Sequence, residues 1–134
     1  MQQALVNNAI LHKGSLNVKE LEAINLAVSE ATGCDYCLAA HSMMAKKAGF
    51  SSEQIRELRR GQYAEDAHLD ALAKFAQTLV TTTGTLPEAD VTALRDAGFS
   101  DRQVIEAISA ISAILFTNMV NRVNDTVIDF PKAD

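Results

Sequence analysis

The sequence predicts an all-α protein: one domain spanning residues 1–134, a helical bundle of about six to seven helices. Three observations lead there. Hydrophobic residues make up 48% of the chain, with only two prolines and six glycines, a profile of packed helices rather than sheet or disorder. Helix start and stop signals recur along the chain. Between them apolar residues fall at three- and four-residue spacing. A length of 134 residues suits a single domain with a sizeable core and little room for a second.

Taken in order, the first helix runs from Gln2 to about Lys13, carries Leu5, Ile10 and Leu11, and stops at Gly14. His12 near its end reads as a surface residue favoured by the helix dipole. Asn17 and Glu20 then form a capping box, with Leu16 stapled to Leu21, so a second helix begins at Val18. Its buried stripe is Leu21, Ile24, Val28 and Ala31, with Glu22, Asn25 and Ser29 on an adjoining polar line, and Thr32-Gly33 ends it. A third helix carries Cys34 and Cys37 in its first turn, continues through Met43, Met44 and Ala48, and stops at Gly49.

Ser51 and Gln54 cap the fourth helix, with Phe50 stapled to Ile55. The same glycine-phenylalanine-serine device returns at Gly98-Phe99-Ser100, with Gln103 closing the box, as repeated turn chemistry rather than duplication. Between these corners, residues 66–83 present Leu69, Leu72, Ala73, Ala76, Leu79 and Val80 as an amphipathic helix, with His68 expected on its surface. Pro87 in a first-turn position starts a short helix. The final helix is apolar nearly all round over 104–116, which predicts that it is central or lies between subunits; Asn118, Asn121, Arg122 and Asp125 are expected to solvate or cap its end. Pro131 and the residues after it read as a tail.

Net charge of −5, with no basic cluster beyond Arg56, Arg59 and Arg60, argues against a nucleic-acid partner. The longest apolar stretch, 107–116, reads as too short and too serine-dotted to span a bilayer, and no charged leader precedes an apolar run, so the expectation is a cytoplasmic protein without a membrane partner. In that compartment thiols are kept reduced, so a cysteine pair points to catalysis, redox sensing or metal.

The chemistry concentrates in Gly33-Cys34-Asp35-Tyr36-Cys37-Leu38-Ala39-Ala40-His41, which holds the only two cysteines. As a structural staple their bond is weak, since a cross-link closing so short a loop is worth roughly 2 kcal/mol. As zinc ligands Cys34, Cys37 and His41 lack an obvious fourth partner, although Glu22 or water could supply it. Thiol catalysis fits best. Helical rise places His41 about 6 Å along the axis from Cys37 and about 10.5 Å from Cys34, so only Cys37 is within reach of the imidazole. The helix N-terminus favours thiolate, His41 can act as base or proton shuttle, and Glu22 on the preceding helix is the best candidate to orient it. Cys37 is then the attacking thiol and Cys34 resolves it.

Glu22, Cys34, Cys37 and His41 form E-x11-C-x-x-C-x-x-x-H, and with Leu26-Ala27-Val28-Ser29 before Gly33-Cys34 the stretch 17–58 resembles the alkyl hydroperoxidase D-like (AhpD-like) branch of the carboxymuconolactone decarboxylase family. The resemblance implies an all-helical antioxidant enzyme that reduces organic hydroperoxides with its cysteine pair; no bound cofactor or metal is expected, a zinc site being the less favoured alternative. Cys37 would be peroxidatic, forming a sulfenic acid that Cys34 condenses to a disulfide, with Glu22 and His41 as the proton relay. It further implies a hydroperoxide substrate, a dithiol reductant such as a lipoylated or thioredoxin-like protein, and a homo-oligomer, trimer or hexamer, in keeping with the apolar last helix. Lactone decarboxylation ranks low, because that branch does not rely on the cysteine pair. One departure stands out: Tyr36 occupies the position where well-characterised peroxidases of this type carry a histidine. Tyrosine donates a hydrogen bond but does not exchange protons near neutrality as histidine does. The competing reading is a redox-responsive sensor or binding protein whose disulfide alters assembly.

Overall fold

The computed structural model describes residues 2–134, with side chains from Leu5 onward. Seven helices follow one another: α1 (Gln2–Lys13), α2 (Val18–Thr32), α3 (Asp35–Lys47), α4 (Ser52–Arg59), α5 (Ala67–Thr81), α6 (Glu88–Asp96) and α7 (Asp101–Asn124). Among the described residues no strand occurs.

The start signals act as the sequence predicts. Asn17, Ser51 and Ser100 each close a full capping box, with Glu20, Gln54 and Gln103 as the reciprocal partners. Leu16 and Leu21, and Phe50 and Ile55, are buried as stapled pairs. Two boundaries differ by one residue. Cys34 is the cap of α3 rather than part of its first turn, with extended backbone and its sulfur accepting the Cys37 N–H at 3.3 Å. Pro87 likewise caps α6, which starts at Glu88.

The larger difference concerns which helix is central. α2 packs against α3, α4, α5 and α7 and is buried nearly all round from Glu20 to Ser29, with only Asn25 half-buried. The alanines Ala23 and Ala27 let neighbours approach closely. Ala31, read from the sequence as part of the buried stripe, is exposed instead. α7, expected to be central or to lie between subunits, is not central: Val104, Ala107, Ala110, Ile111, Ile114 and Asn118 face the core, while Ile105, Phe116, Met119, Val120 and Val123 are exposed. By length and composition alone the whole of α7, longer than the apolar stretch 107–116, is long and apolar enough to cross a bilayer. Its apolar content is instead divided between the α2 contact and the surface.

Gly33 makes the tight passage from α2 into α3. Its φ of 68° lies in the left-handed region, and its N–H returns to the carbonyls of Ser29 and Glu30, so α2 stops and Cys34 emerges at the mouth of the next helix. After α7, residues 126–134 run irregularly back across α3. The Phe130 ring meets Tyr36 at 5.1 Å, and Arg59 donates to the Asp134 carbonyl oxygen at 2.5 Å.

Candidate functional site

The Cys34 and Cys37 sulfurs lie at bonding distance, 2.16 Å, with Cα atoms 5.3 Å apart, so the pair is a closed disulfide at the start of α3. Both residues are buried, 1% and 2% exposed. Cap and N3 positions of one helix bring the two sulfurs together with little backbone change, the physical advantage of two intervening residues.

Glu22 and His41 are joined across α2 and α3. The Nδ1–H of His41 donates to Glu22 Oε2 at 2.9 Å, and Asn25 Nδ2 donates to the other carboxylate oxygen at 3.4 Å. An ionised carboxylate only accepts, which puts the proton on Nδ1 and leaves Nε2 as the ring nitrogen open to proton exchange. Glu22 is buried, although the sequence places it on a flanking polar line, because α7 covers that line as well. The structure therefore joins the four predicted residues as two pairs, Cys34 with Cys37 and Glu22 with His41. The pairs are linked through α3, where Cys37 and His41 stand one turn apart on the same side.

Two clefts flank this arrangement. One, of about 260 Å³, has Glu22 and His41 in a wall shared with apolar residues such as Ile10, Leu11, Met44 and Ile114 and with Asn25 and Thr117. The other, of about 210 Å³, is polar and is bordered by Cys34, Tyr36, Asn121, Arg122 and Asp125. Glu22 and His41 thus border a largely apolar space and Cys34 a polar one. Among the described residues no group of three or more His, Cys, Asp or Glu side chains is arranged to hold a metal ion. In the zinc reading Cys34, Cys37 and His41 were candidate ligands; here the sulfurs are bonded to each other and His41 Nδ1 is engaged by Glu22.

Three polar residues carry more than the sequence reading assigned them. Asn118, expected to solvate the end of α7, is fully buried, accepting from Thr32 Oγ1 at 2.9 Å and donating to Ser29 Oγ at 3.2 Å. Asn121 reaches Cys37 Sγ at 3.6 Å. The signal was available: Ile111, Ile114, Asn118 and Asn121 follow a three-four-three spacing, so the buried line of α7 continues into the asparagines. His68, expected on the surface, is half-buried. Its Nδ1–H donates to the Ala97 carbonyl at 2.7 Å, its Nε2–H donates to Glu20 Oε1 at 2.6 Å, and its ring stacks on Phe99 at 3.8 Å. Burial opposes charge on this imidazole, but the Ala97 carbonyl and the Glu20 carboxylate, with Asp66 nearby, outweigh it and raise its pKa above the ordinary 6.5.

No curated protein sequence matches the chain. Solved structures do. A protein of unknown function from Agrobacterium tumefaciens, described as an AhpD candidate for antioxidant defence, superposes with a TM-score of 0.87 at 20% identity, over 97% of this chain and 90% of that one. An uncharacterized peroxidase-related protein from Silicibacter sp. gives 0.83 at 23% identity, over 98% of this chain and 68% of the other. The debrominase Bmp8, solved as a cysteine-to-alanine variant in complex with 2,3,4-tribromopyrrole, gives 0.83 at 20% identity, over 96% and 69%. At these identities the likeness is one of fold. The sequence profile of the carboxymuconolactone decarboxylase family matches residues 2–77, more than half of the chain. With an AhpD-like helical fold, a closed C-x-x-C pair and this profile match, the chain belongs to the carboxymuconolactone decarboxylase family.

Proposed function

We propose that the protein is a thiol-dependent peroxidase that reduces organic hydroperoxides. The observation that carries this reading is the 2.9 Å contact between Glu22 and His41 one helical turn from a closed Cys34–Cys37 pair. In the reduced protein the Cys37 thiolate attacks the terminal peroxide oxygen. The S–O bond forms as the O–O bond breaks, and the departing alkoxide takes a proton delivered through His41 Nε2. Cys34 then attacks the Cys37 sulfenic sulfur, and hydroxide leaves as water once protonated. Glu22 holds His41 in the tautomer this exchange needs. The apolar cleft beside the relay suits the organic part of the peroxide.

The cycle closes when an external dithiol, such as a lipoylated or thioredoxin-like protein, reduces the disulfide. Cys34 borders the polar cleft, so the incoming thiol attacks Cys34 and Cys37 departs as thiolate. The exposed apolar side of α7, with Ile105, Phe116 and Val123, supports assembly as a homo-oligomer, trimer or hexamer. The proposed enzyme acts in the cytoplasm, without a nucleic-acid or membrane partner and without a bound cofactor. The near-complete burial of both sulfurs favours one rival, a redox sensor that oxidises once per chain and changes its assembly. Dithiol-driven consumption of cumene hydroperoxide separates the two. The proposal predicts many turnovers per chain, lost in Cys37→Ser and in Cys34→Ser; one equivalent of oxidation with a change in size supports the sensor.

A further inference from the structure

Outside the four motif residues, one side chain from a distant part of the chain touches the reacting sulfur. Asn121, in the last turn of α7, places Nδ2 at 3.6 Å from Cys37 Sγ. The same nitrogen donates to the Thr117 carbonyl at 3.0 Å. That second bond fixes the amide: a carbonyl only accepts, so turning Oδ1 toward Thr117 would set two acceptors against each other. One N–H of the amide is thereby held on Thr117 and the other directed at sulfur. One turn earlier, Asn118 is locked to Ser29 and Thr32 of α2, so this part of α7 is anchored to the helix that leads into Cys34.

We infer that Asn121 is a catalytic residue of the proposed peroxidase reaction, donating a hydrogen bond that holds negative charge on the Cys37 sulfur. The bond is weak toward a disulfide sulfur and strengthens when sulfur carries charge. It acts at two steps. Before attack it keeps more of reduced Cys37 as thiolate, the form that bonds to the peroxide oxygen. During re-reduction, as a dithiol sulfur bonds to Cys34 and the Cys34–Cys37 bond breaks, it stabilises Cys37 as the leaving thiolate. It also distinguishes the two cysteines. Cys34 receives a main-chain N–H by virtue of its cap position, whereas Cys37 receives a side-chain donor from another helix.

The inference rests on Cys37 being the nucleophile, and its test is made without peroxide. In a Cys34→Ser background, where Cys37 is the sole thiol, the rate of alkylation by iodoacetamide is followed against pH. Asn121→Ala should raise the midpoint of that profile by about one pH unit and slow alkylation near neutral pH about tenfold, and Asn121→Asp should raise it further. Asn118→Ala, which removes the neighbouring anchor, should lower the melting temperature and leave the midpoint in place. A measurement in the Cys34→Ser protein with Asn121 intact guards against misfolded variants: the Asn121 side-chain amide proton should shift downfield as Cys37 ionises, and that of Asn118 should not. Unchanged midpoints in both Asn121 variants, or an Asn121 amide indifferent to Cys37 ionisation, would overturn the inference. Shifted midpoints in a protein that never turns over hydroperoxide would retain Asn121 as the donor that holds charge on the Cys37 sulfur and remove the peroxidase reading.

Discussion

Two glutamates two residues apart on α2 each hold a histidine from another helix, and the two pairs do different work. Glu20 meets His68 at 2.6 Å and Glu22 meets His41 at 2.9 Å. His68 has both ring nitrogens occupied, one by Glu20 and one by the Ala97 carbonyl, and its face lies on Phe99. With an acceptor facing each ring nitrogen, both positions are engaged and the pKa of the ring is raised. The pair ties α2 to α5 and to the corner between α6 and α7. His41 has one nitrogen held and the other left open, beside a cleft and one turn from a sulfur. Similar pairs, similar distances and the same parent helix thus give a clamp in one case and, in the proposed reaction, a relay in the other. The second nitrogen decides.

The largest effects should come from exchanging these roles. Glu22→Gln or His41→Ala should lower dithiol-driven peroxide turnover by about 100-fold, the usual scale for losing a positioned acid-base group, and Glu22→Gln, which keeps a hydrogen-bonding side chain beside the ring, should do so with little change in melting temperature. His68→Ala should do the reverse, lowering the melting temperature by several degrees while turnover stays near that of the parent, since it leaves the buried Glu20 without one of its partners at a cost of about 1–3 kcal/mol. A loss of turnover in His68→Ala matching that of His41→Ala would end the distinction.

pH sharpens the comparison further. Because folding raises the His68 pKa above 6.5, its stabilising contribution is complete below about pH 6.5 and is lost as pH rises through the raised value. Thermal melts should show stability declining through that window, and His68→Gln should flatten this part of the profile. Smaller still is the backbone device that delivers the sulfurs. Gly33→Ala meets no neighbouring atom within 4 Å but must adopt a φ of 68°, which should cost about 1–2 kcal/mol in denaturant unfolding. Reduction of the disulfide should change stability by a similar amount, about 2 kcal/mol, since the loop it closes is short.

Much of this was legible in the sequence, and the reasons are local. Capping boxes at Asn17, Ser51 and Ser100 depend on residues three apart, so helix starts could be read from short windows. Glu22 was the candidate partner of His41 because it lies on the polar line of the helix just before the cysteines and in the E-x11-C-x-x-C-x-x-x-H pattern. What depended on distant partners was harder. His68 reads as a surface residue in its own helix; only the docking of α5 against α2 supplies Glu20, whose role in the cap had already explained it. Asn121 reads as a solvated helix end until α7 is laid along α2. The centrality of α2 was concealed by its glutamates, which suggest an exposed face when their histidine partners are not in view, while the richer apolar content of α7 left open whether it was central or lay between subunits.

The most direct test of the account is the rate at which reduced Cys34→Ser protein forms a sulfenic acid at Cys37 with cumene hydroperoxide, trapped by dimedone and read by mass, with Glu20→Gln and Glu22→Gln compared. Gln can still serve in the capping box, so Glu20→Gln should leave the rate near that of the parent, whereas Glu22→Gln should slow it about 100-fold. Equal rates in all three proteins, or the larger loss in Glu20→Gln, would contradict the assignment of Glu22 and His41 as the relay.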